Sequence, residues 1–429
     1  MAPWSSLMSW QPFNLDAAGF LTLVGADEIN EAVGRLIPSR YLEFMPFLAA
    51  FVIAGNQFTK KAVGYHLYVI KDGIHITDAA GWFTRILSSN DGAVSSVHTY
   101  GILTVLTHPH QRTREILLSG SLATLVIGFL LVLAILTWDW YGFASSVGLL
   151  VSIFTRFYQV NAVKDAIDRS VLSYIRRSSI STQGGEFPPQ RCLIITPEAK
   201  AITLEIPAKF DLRILSRNPV VEYQSYYVFV RCCGWAAFAV HIIALNMAST
   251  ALKLYVSSVL ILASILYILR LGCDDSPWDQ IYQWGQTRCF HPQMYIGKYL
   301  KLELTTWPEA YEFYKDGRDN SIRIRGWNDD RTTQWRAERR QDLYAWLQLT
   351  PEEEAMFREW HLLPFQQGSS NWHYWWSDYI EKRDCVRDFT HGVRDSTAFK
   401  QSPRETSEPC LQPGGETSTA RTGQKQEEA

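Results

Sequence analysis

The sequence predicts an α+β membrane protein. Two transmembrane helical hairpins provide four spans, with a fifth as an option. They carry a small cytosolic β-sheet and a Trp-rich helical domain. Three observations lead to this class. Ile116–Trp138 runs 23 residues without a charge, a proline or an amide side chain. At ~1.5 Å of rise per residue, such a helix crosses the ~30 Å hydrocarbon layer. A second pair of apolar runs, Cys232–Ala251 and Leu254–Leu269, is joined by a connection too short for a domain. The mean hydropathy of the whole chain is nonetheless only −0.10, so the apolar segments sit within otherwise ordinary soluble sequence.

Residues 1–110 read as a cytosolic N-terminal region. Met1–Phe20 has neither a basic n-region nor a continuous apolar stretch, so insertion is expected to rely on internal spans. Within Asp16–Arg40, Ile29, Val33, Leu36 and Ile37 share one helical face, and Pro38 stops the helix. Residues 44–59 form an apolar run interrupted by Pro46, Asn56 and Gln57. A buried or interfacial helix is the first expectation there, and a fifth span is the alternative. Ala62–Ile76 reads as two short strands around Lys71-Asp72-Gly73. Asp78 is placed to cap a helix through Leu87. Val94–Thr107 is expected as a buried helix, or one lying on the membrane.

The first hairpin covers 116–156. Trp138, Trp140 and Tyr141 at its tip suit the membrane interface. The second span is expected to end near Arg156, whose side chain would snorkel to the interface. The linker over 157–230 carries a hairpin signal, Arg191–Thr196 and Ala201–Ile206 around Pro197–Lys200. It is expected to pair with the strands near Ala62–Ile76. The second transmembrane hairpin covers 231–270.

Residues 274–399 read as a cytosolic helical domain. Ten of the 16 tryptophans fall between Trp278 and Trp376. Thr350-Pro351-Glu352-Glu353 has the form of a capping box. Trp335, Leu343 and Trp346 mark an amphipathic helix over Arg331–Leu347, and Trp372, Trp375, Trp376 and Tyr379 share one side of another. Residues 400–429 are nearly free of apolar side chains and are expected to be disordered.

Charge sets the orientation. Arg112 and Arg114 precede the first span, and Arg156, Lys164, Arg169, Arg176 and Arg177 follow the second. Lys209, Arg213, Arg217 and Arg231 precede the third, Arg270 follows the fourth, and the two tips hold only Lys253. Both termini and the intervening linker are therefore expected in the cytosol.

The function classes narrow less sharply. A net charge of −2 argues against nucleic acid as a partner. Seven cysteines without a C-x-x-C pair read as reduced thiols. No P-loop, G-x-S-x-G, H-E-x-x-H or dinucleotide fingerprint occurs, and no cofactor is expected.

Four groups of residues remain as candidates. Trp372, Trp375 and Trp376 offer flat apolar faces to a carbohydrate, a lipid or an aromatic metabolite, or else pack a core. His241, inside the third span, suits a proton path or substrate contact, or else bonds to a neighbouring helix. His108 and His110 are weak candidates for a shared metal, or else mark an interfacial loop. Cys232, Cys233 and Cys273 lie at expected span ends, where thiols are open to S-acylation, or else pack as small residues.

The expected partners are the lipid bilayer, a protein on the cytosolic side and a second copy of the chain as a homo-oligomer. The leading functional expectation is a non-catalytic scaffold or accessory factor. The alternatives are a channel or transporter subunit, and a membrane-associated enzyme on a lipophilic substrate. In composition and length the chain is similar to multi-pass membrane proteins of filamentous fungi, some encoded within secondary-metabolite gene clusters. That likeness implies an accessory role in such a pathway.

Overall fold

The computed structural model describes residues 26–48, 53–89, 98–180, 189–198, 200–208, 210–276, 293–306, 311–315, 322–326, 340–363 and 370–398. The tail over 400–429 lies outside them. Helix α1 spans Ala26–Gly34 and buries Ile29 and Val33, as their spacing requires. It stops before Pro38 because Leu36 adopts a left-handed φ of 59°. Residues 44–59 are not one helix among the described residues. The described part has turns up to residue 48, helix at residues 53–54 and a 3-10 turn, Gln57–Thr59, preceded by Asn56 at φ 61°. Phe47, Leu48, Ile53 and Phe58 are buried there. Pro46 and the left-handed Asn56 bound the helical part of this run, and residues 49–52 lie outside the described residues. Strands β1 (His66–Val69) and β2 (Ile74–Ile76) flank Gly73, and helix α2 covers Gly81–Ser89. The first N–H of α2 donates to Asn218 Oδ1 at 3.2 Å.

Among the described residues, four helices are long and apolar enough to cross a membrane: α3 (Thr113–Leu136), α4 (Trp140–Ile180), α6 (Gln224–Met247) and α7 (Thr250–Ile268). A short α5 (Arg213–Ser216) precedes the second pair. Only 22% of the most apolar window of α3 is buried, so it offers Leu117, Leu125 and Phe129 outward as lipid-facing helices do. Helix α4 differs from expectation. It does not end near Arg156 but runs 41 residues, ~60 Å at ordinary helical rise. Its second half buries Val160, Val163, Ile167 and Val171 in the sheet core. That stripe repeats at helical spacing, so the apolar face continues long after the charge-free stretch has ended.

Helices α4 and α6 approach through small residues. A Cβ on Gly148 would stand 3.0 Å from the Ala237 carbonyl, and one on Gly234 would stand 3.3 Å from Thr155 Oγ1. Close backbone approach of this kind is how apolar helices gain packing without a hydrophobic driving force. Asp139, buried between α3 and α4, accepts the Gly142 N–H at 2.9 Å and the Ser249 N–H at 2.7 Å. One carboxylate thus closes the start of α4 and the start of α7, tying the two hairpin turns together.

The sheet has seven strands in the order β2-β1-β4-β5-β3-β7-β6. Strands β4 (Gln190–Ile195) and β5 (Ala201–Ile206) form the expected hairpin. β1 pairs antiparallel to β4, His66 opposite Ile195, as anticipated. Five strands were not anticipated. β3 (His98–Val105) is a strand rather than a helix, parallel to β5 and antiparallel to β7. Its Gly101 lies between Leu204 and Leu304, where a Cβ would meet both at 2.9 Å. Strands β6 (Gln293–Ile296) and β7 (Leu300–Thr306) bring part of the expected helical domain into the same sheet. β8 (Tyr311–Lys315) and β9 (Ile322–Gly326) form a separate ribbon. Among the described residues of that region the helices are α8 (Arg340–Leu347), α9 (Pro351–Glu359) and α10 (Ser370–Ala398). Residues 331–339 of the expected amphipathic helix lie outside the described residues.

Alternation along the strands separates two cores. Leu67, Val69, Cys192, Ile194, Leu302 and Leu304 face α1, α2 and the far half of α4. Tyr68, Ile70, Leu193 and Ala201 face the opposite way, toward α8, α9 and α10. Asp168 on α4 accepts the Lys298 N–H through both oxygens, at 2.9 and 3.0 Å, and so clasps the β6–β7 turn at Gly297.

Candidate functional site

The helical layer over β1, β4 and β5 holds a groove of about 560 Å³ lined by Arg340, Gln341, Tyr344, His361, Leu362, Leu363 and Trp375. Its walls begin with local sequence. The capping box at Thr350 is present: Glu353 N–H donates to Thr350 Oγ1 at 3.3 Å, and Thr350 N–H donates to Glu353 Oε2 at 2.8 Å. At the other end of α9 the chain turns through His361 at φ 56°, with the Leu362 N–H reaching back to the Phe357 carbonyl. Glycine usually takes this place in a helix C-cap. Phe357 and Leu363 then bury against Leu343 and Leu347 of α8.

Helix α10 closes the other wall. Trp372 and Trp376 stack with centroids 5.9 Å apart and planes 4° from parallel, and Trp375 stacks on Tyr379 at 5.4 Å. Arg358 lies over the Trp376 ring at 4.6 Å. The helix is pinned by polar contacts. Gln341 Nε2 donates to the Trp375 carbonyl at 2.7 Å, and Lys382 Nζ donates to Gln341 Oε1 at 2.8 Å. Lys382 also pairs with Asp342 at 2.8 Å and Asp378 at 2.9 Å. Glu354 accepts from the Tyr379 hydroxyl at 2.9 Å and from Arg383 at 2.7 Å. Burial pushes the Tyr344 phenol up to about 12 against the opposing pull of the Arg340 guanidinium. Burial, joined by the Glu354 carboxylate, also raises Tyr379.

The tryptophans thus divide their work. Trp375 lines the groove, while Trp372 and Trp376 stack beside it and Trp376 packs on the core. Packing and groove-lining coexist on one helix face. Sequence reasoning did not reach Arg340, Tyr344 or His361. The one available signal was a histidine standing where a helix C-terminus favours glycine.

The other candidates lie elsewhere. His241 on α6 places Nδ1 3.0 Å from both Ser145 Oγ and the Ser145 carbonyl on α4. It joins the two helices and is 4% exposed. His110 stacks on Tyr295 at 4.0 Å while His108 is exposed. Burial lowers His110, aided by Arg112 and opposed by Asp274 and Glu115. Among the described residues, no group of three His, Cys, Asp or Glu side chains is placed to hold a metal. Cys232 is exposed and Cys233 half-buried, but α6 begins at Gln224, so both lie inside the helix rather than at its end. Cys273 is fully buried, and burial raises its thiol to about 12.

A second polar centre lies where α1, α3, α4 and α7 meet. Arg35 pairs with Asp275, and Arg112 with Asp274. Arg270 reaches Asp275 at 3.7 Å, and Lys164 reaches Glu43 at 3.6 Å. The cavity beside Arg156, Lys164 and Tyr267 holds about 10 Å³, room for one water. This centre fastens elements together and leaves no space for a larger ligand.

No known protein family, curated protein or solved structure matches the chain.

Proposed function

We propose that this chain is a non-catalytic scaffold or accessory factor anchored in a membrane. Its two helical hairpins lie in the bilayer, and its termini, sheet and helical layer face the cytosol, where they bind a partner. The observation that carries this reading is α4. It runs unbroken from an apolar segment suited to lipid into the centre of the sheet core. A continuous helix shared by the apolar bundle and the sheet core holds a soluble binding layer at a set height and angle above a membrane. The channel reading has less support, because α4 and α6 close on each other at Gly148 and Gly234. The enzyme reading has less as well, because the groove offers cations and aromatic faces without a nucleophile–base pair among its lining residues. An accessory place in a secondary-metabolite pathway is compatible with this role.

The test is purification of the full chain from its own membranes after chemical cross-linking. The expected result is a stoichiometric partner whose cross-links map to the sheet and to 340–398. Recovery of the chain alone, together with ion flux when it is reconstituted in vesicles, would overturn the reading. The test needs the full chain, because β7 pairs with β3 and so ties residues 293–306 into the seven-stranded sheet.

A further inference from the structure

We infer that His66 and His75, on the β1–β2 hairpin at the edge of the seven-stranded sheet, form a two-histidine site for a late first-row divalent cation such as zinc. The site goes beyond the scaffold reading and does not depend on it.

Register brings the two rings together. Tyr68 on β1 stands opposite His75 on β2. His66, two residues before Tyr68, shares its face of the sheet and meets His75 on the diagonal. His66 Nδ1 and His75 Nε2 lie 3.3 Å apart. Two nitrogens at ~2.0–2.1 Å from one tetrahedral zinc ion are separated by roughly 3.3–3.4 Å. The pair already keeps the spacing of two ligands on one ion. When the two nitrogens bond to each other, one of them carries a proton. On binding, that proton moves to the other nitrogen of the same ring. Both rings then offer a lone pair and both stay neutral.

Access and charge agree with this chemistry. β2 ends the sheet, His75 is exposed and His66 is half-buried. Solvent therefore reaches the pair, and water can fill the two remaining positions of a tetrahedron. Neutral imidazole is the form that binds a metal. Burial lowers His75, aided by His66, which favours that form.

The rings are also held in place. His75 stacks on Tyr68 with centroids 4.4 Å apart and planes 1° from parallel, and Trp360 tilts onto Tyr68 at 5.1 Å. Tyr68 is buried, and β1 is paired on both sides. Little ordering is left for the ion to impose.

The experiment uses the full chain in detergent micelles, with protein-free micelles as background. Binding of zinc chloride is measured by equilibrium dialysis, and magnesium chloride, a cation that prefers oxygen ligands, is the control. The expected result is saturable zinc binding with no matching magnesium site. His66→Gln and His75→Phe should each weaken that zinc site by at least about tenfold, since losing even an outer-shell partner costs ~10–100-fold. His75→Phe keeps a flat ring on Tyr68, so a loss there reports the nitrogen and not the packing. His108→Gln, at an exposed histidine away from the hairpin, should leave the site unchanged. In histidine-labelled protein, zinc should shift two of the ten imidazole NMR signals, those altered by the two variants. Absence of saturable zinc binding, equal binding of magnesium, unchanged affinity in either variant, or shifts confined to other histidines would overturn the inference. A chain that binds zinc here but recovers no partner keeps this inference and loses the scaffold reading, and the reverse result does the opposite.

Discussion

Single residues decide stability here mainly where charge is buried. Arg35 is 1% exposed, and its partner Asp275 is equally enclosed. Arg35→Ala would leave the buried carboxylate with Arg270, at 3.7 Å, as its remaining cation among the described residues. Removing one partner of such a pair costs about 3–5 kcal/mol, whereas replacing both by apolar residues is often nearly neutral. Thermal melts in micelles should therefore show Arg35→Ala strongly destabilised, with Arg35→Met/Asp275→Leu recovering most of the loss. Equal loss in the two variants would refute this account of the pair.

The buried thiols supply a second prediction. Cys192 and Cys273 both rise from 9.0 to about 12 through burial. Each folded thiol binds its proton more tightly than the unfolded one. Their contribution is full below about pH 9 and lost as pH rises toward about 12. Melting temperature should fall across that interval, and Cys192→Ala should flatten the fall. Both thiols should also resist maleimide until the protein unfolds.

Among elements, the α4–α6 contact is the most exacting. Gly148→Leu would drive a side chain into the Ala237 carbonyl and the His241 backbone. Overpacking of this kind costs about 1–3 kcal/mol, and it would also part His241 from Ser145. Gly120→Leu and Gly128→Leu on α3 serve as controls, since nothing lies within 4 Å of a Cβ at either position. Denaturant titration in micelles should separate the one harmful substitution from the two tolerated ones. The same reasoning sets Asp139 apart from its flanking tryptophans. Trp138 and Trp140 are 74% and 69% exposed and suit an interface, while Asp139 between them is buried and holds two helix starts.

At the scale of the molecule, α4 joins the apolar bundle to the sheet. Two alanines inserted after Tyr158 would turn its far half by roughly 200°. Val160, Val163 and Ile167 would leave the sheet core, and Asp168 would leave the β6–β7 turn. The expected result is loss of the soluble core's cooperative melt while the chain still fractionates with membranes. An unchanged melt would show that the two parts fold independently. Protease protection in sealed vesicles tests the proposed orientation: a protected C-terminus would reverse it.

The sequence by itself determined the apolar segments, because a run such as Ile116–Trp138 has a long uncharged stretch wherever it is placed. It also determined the β4–β5 hairpin, the capping box at Thr350 and the aromatic face of α10, each of which is set by neighbours a few positions away. Tertiary structure decided the rest. β3 is a strand because β5 and β7 lie on either side of it. α4 outlasts its uncharged stretch because a sheet covers Val163 and Ile167. The groove exists because Arg340, His361 and Trp375 meet from three separate segments. Periodicity reports which face of a segment is apolar. Only packing decides what covers that face, and the groove is set by what covers α8.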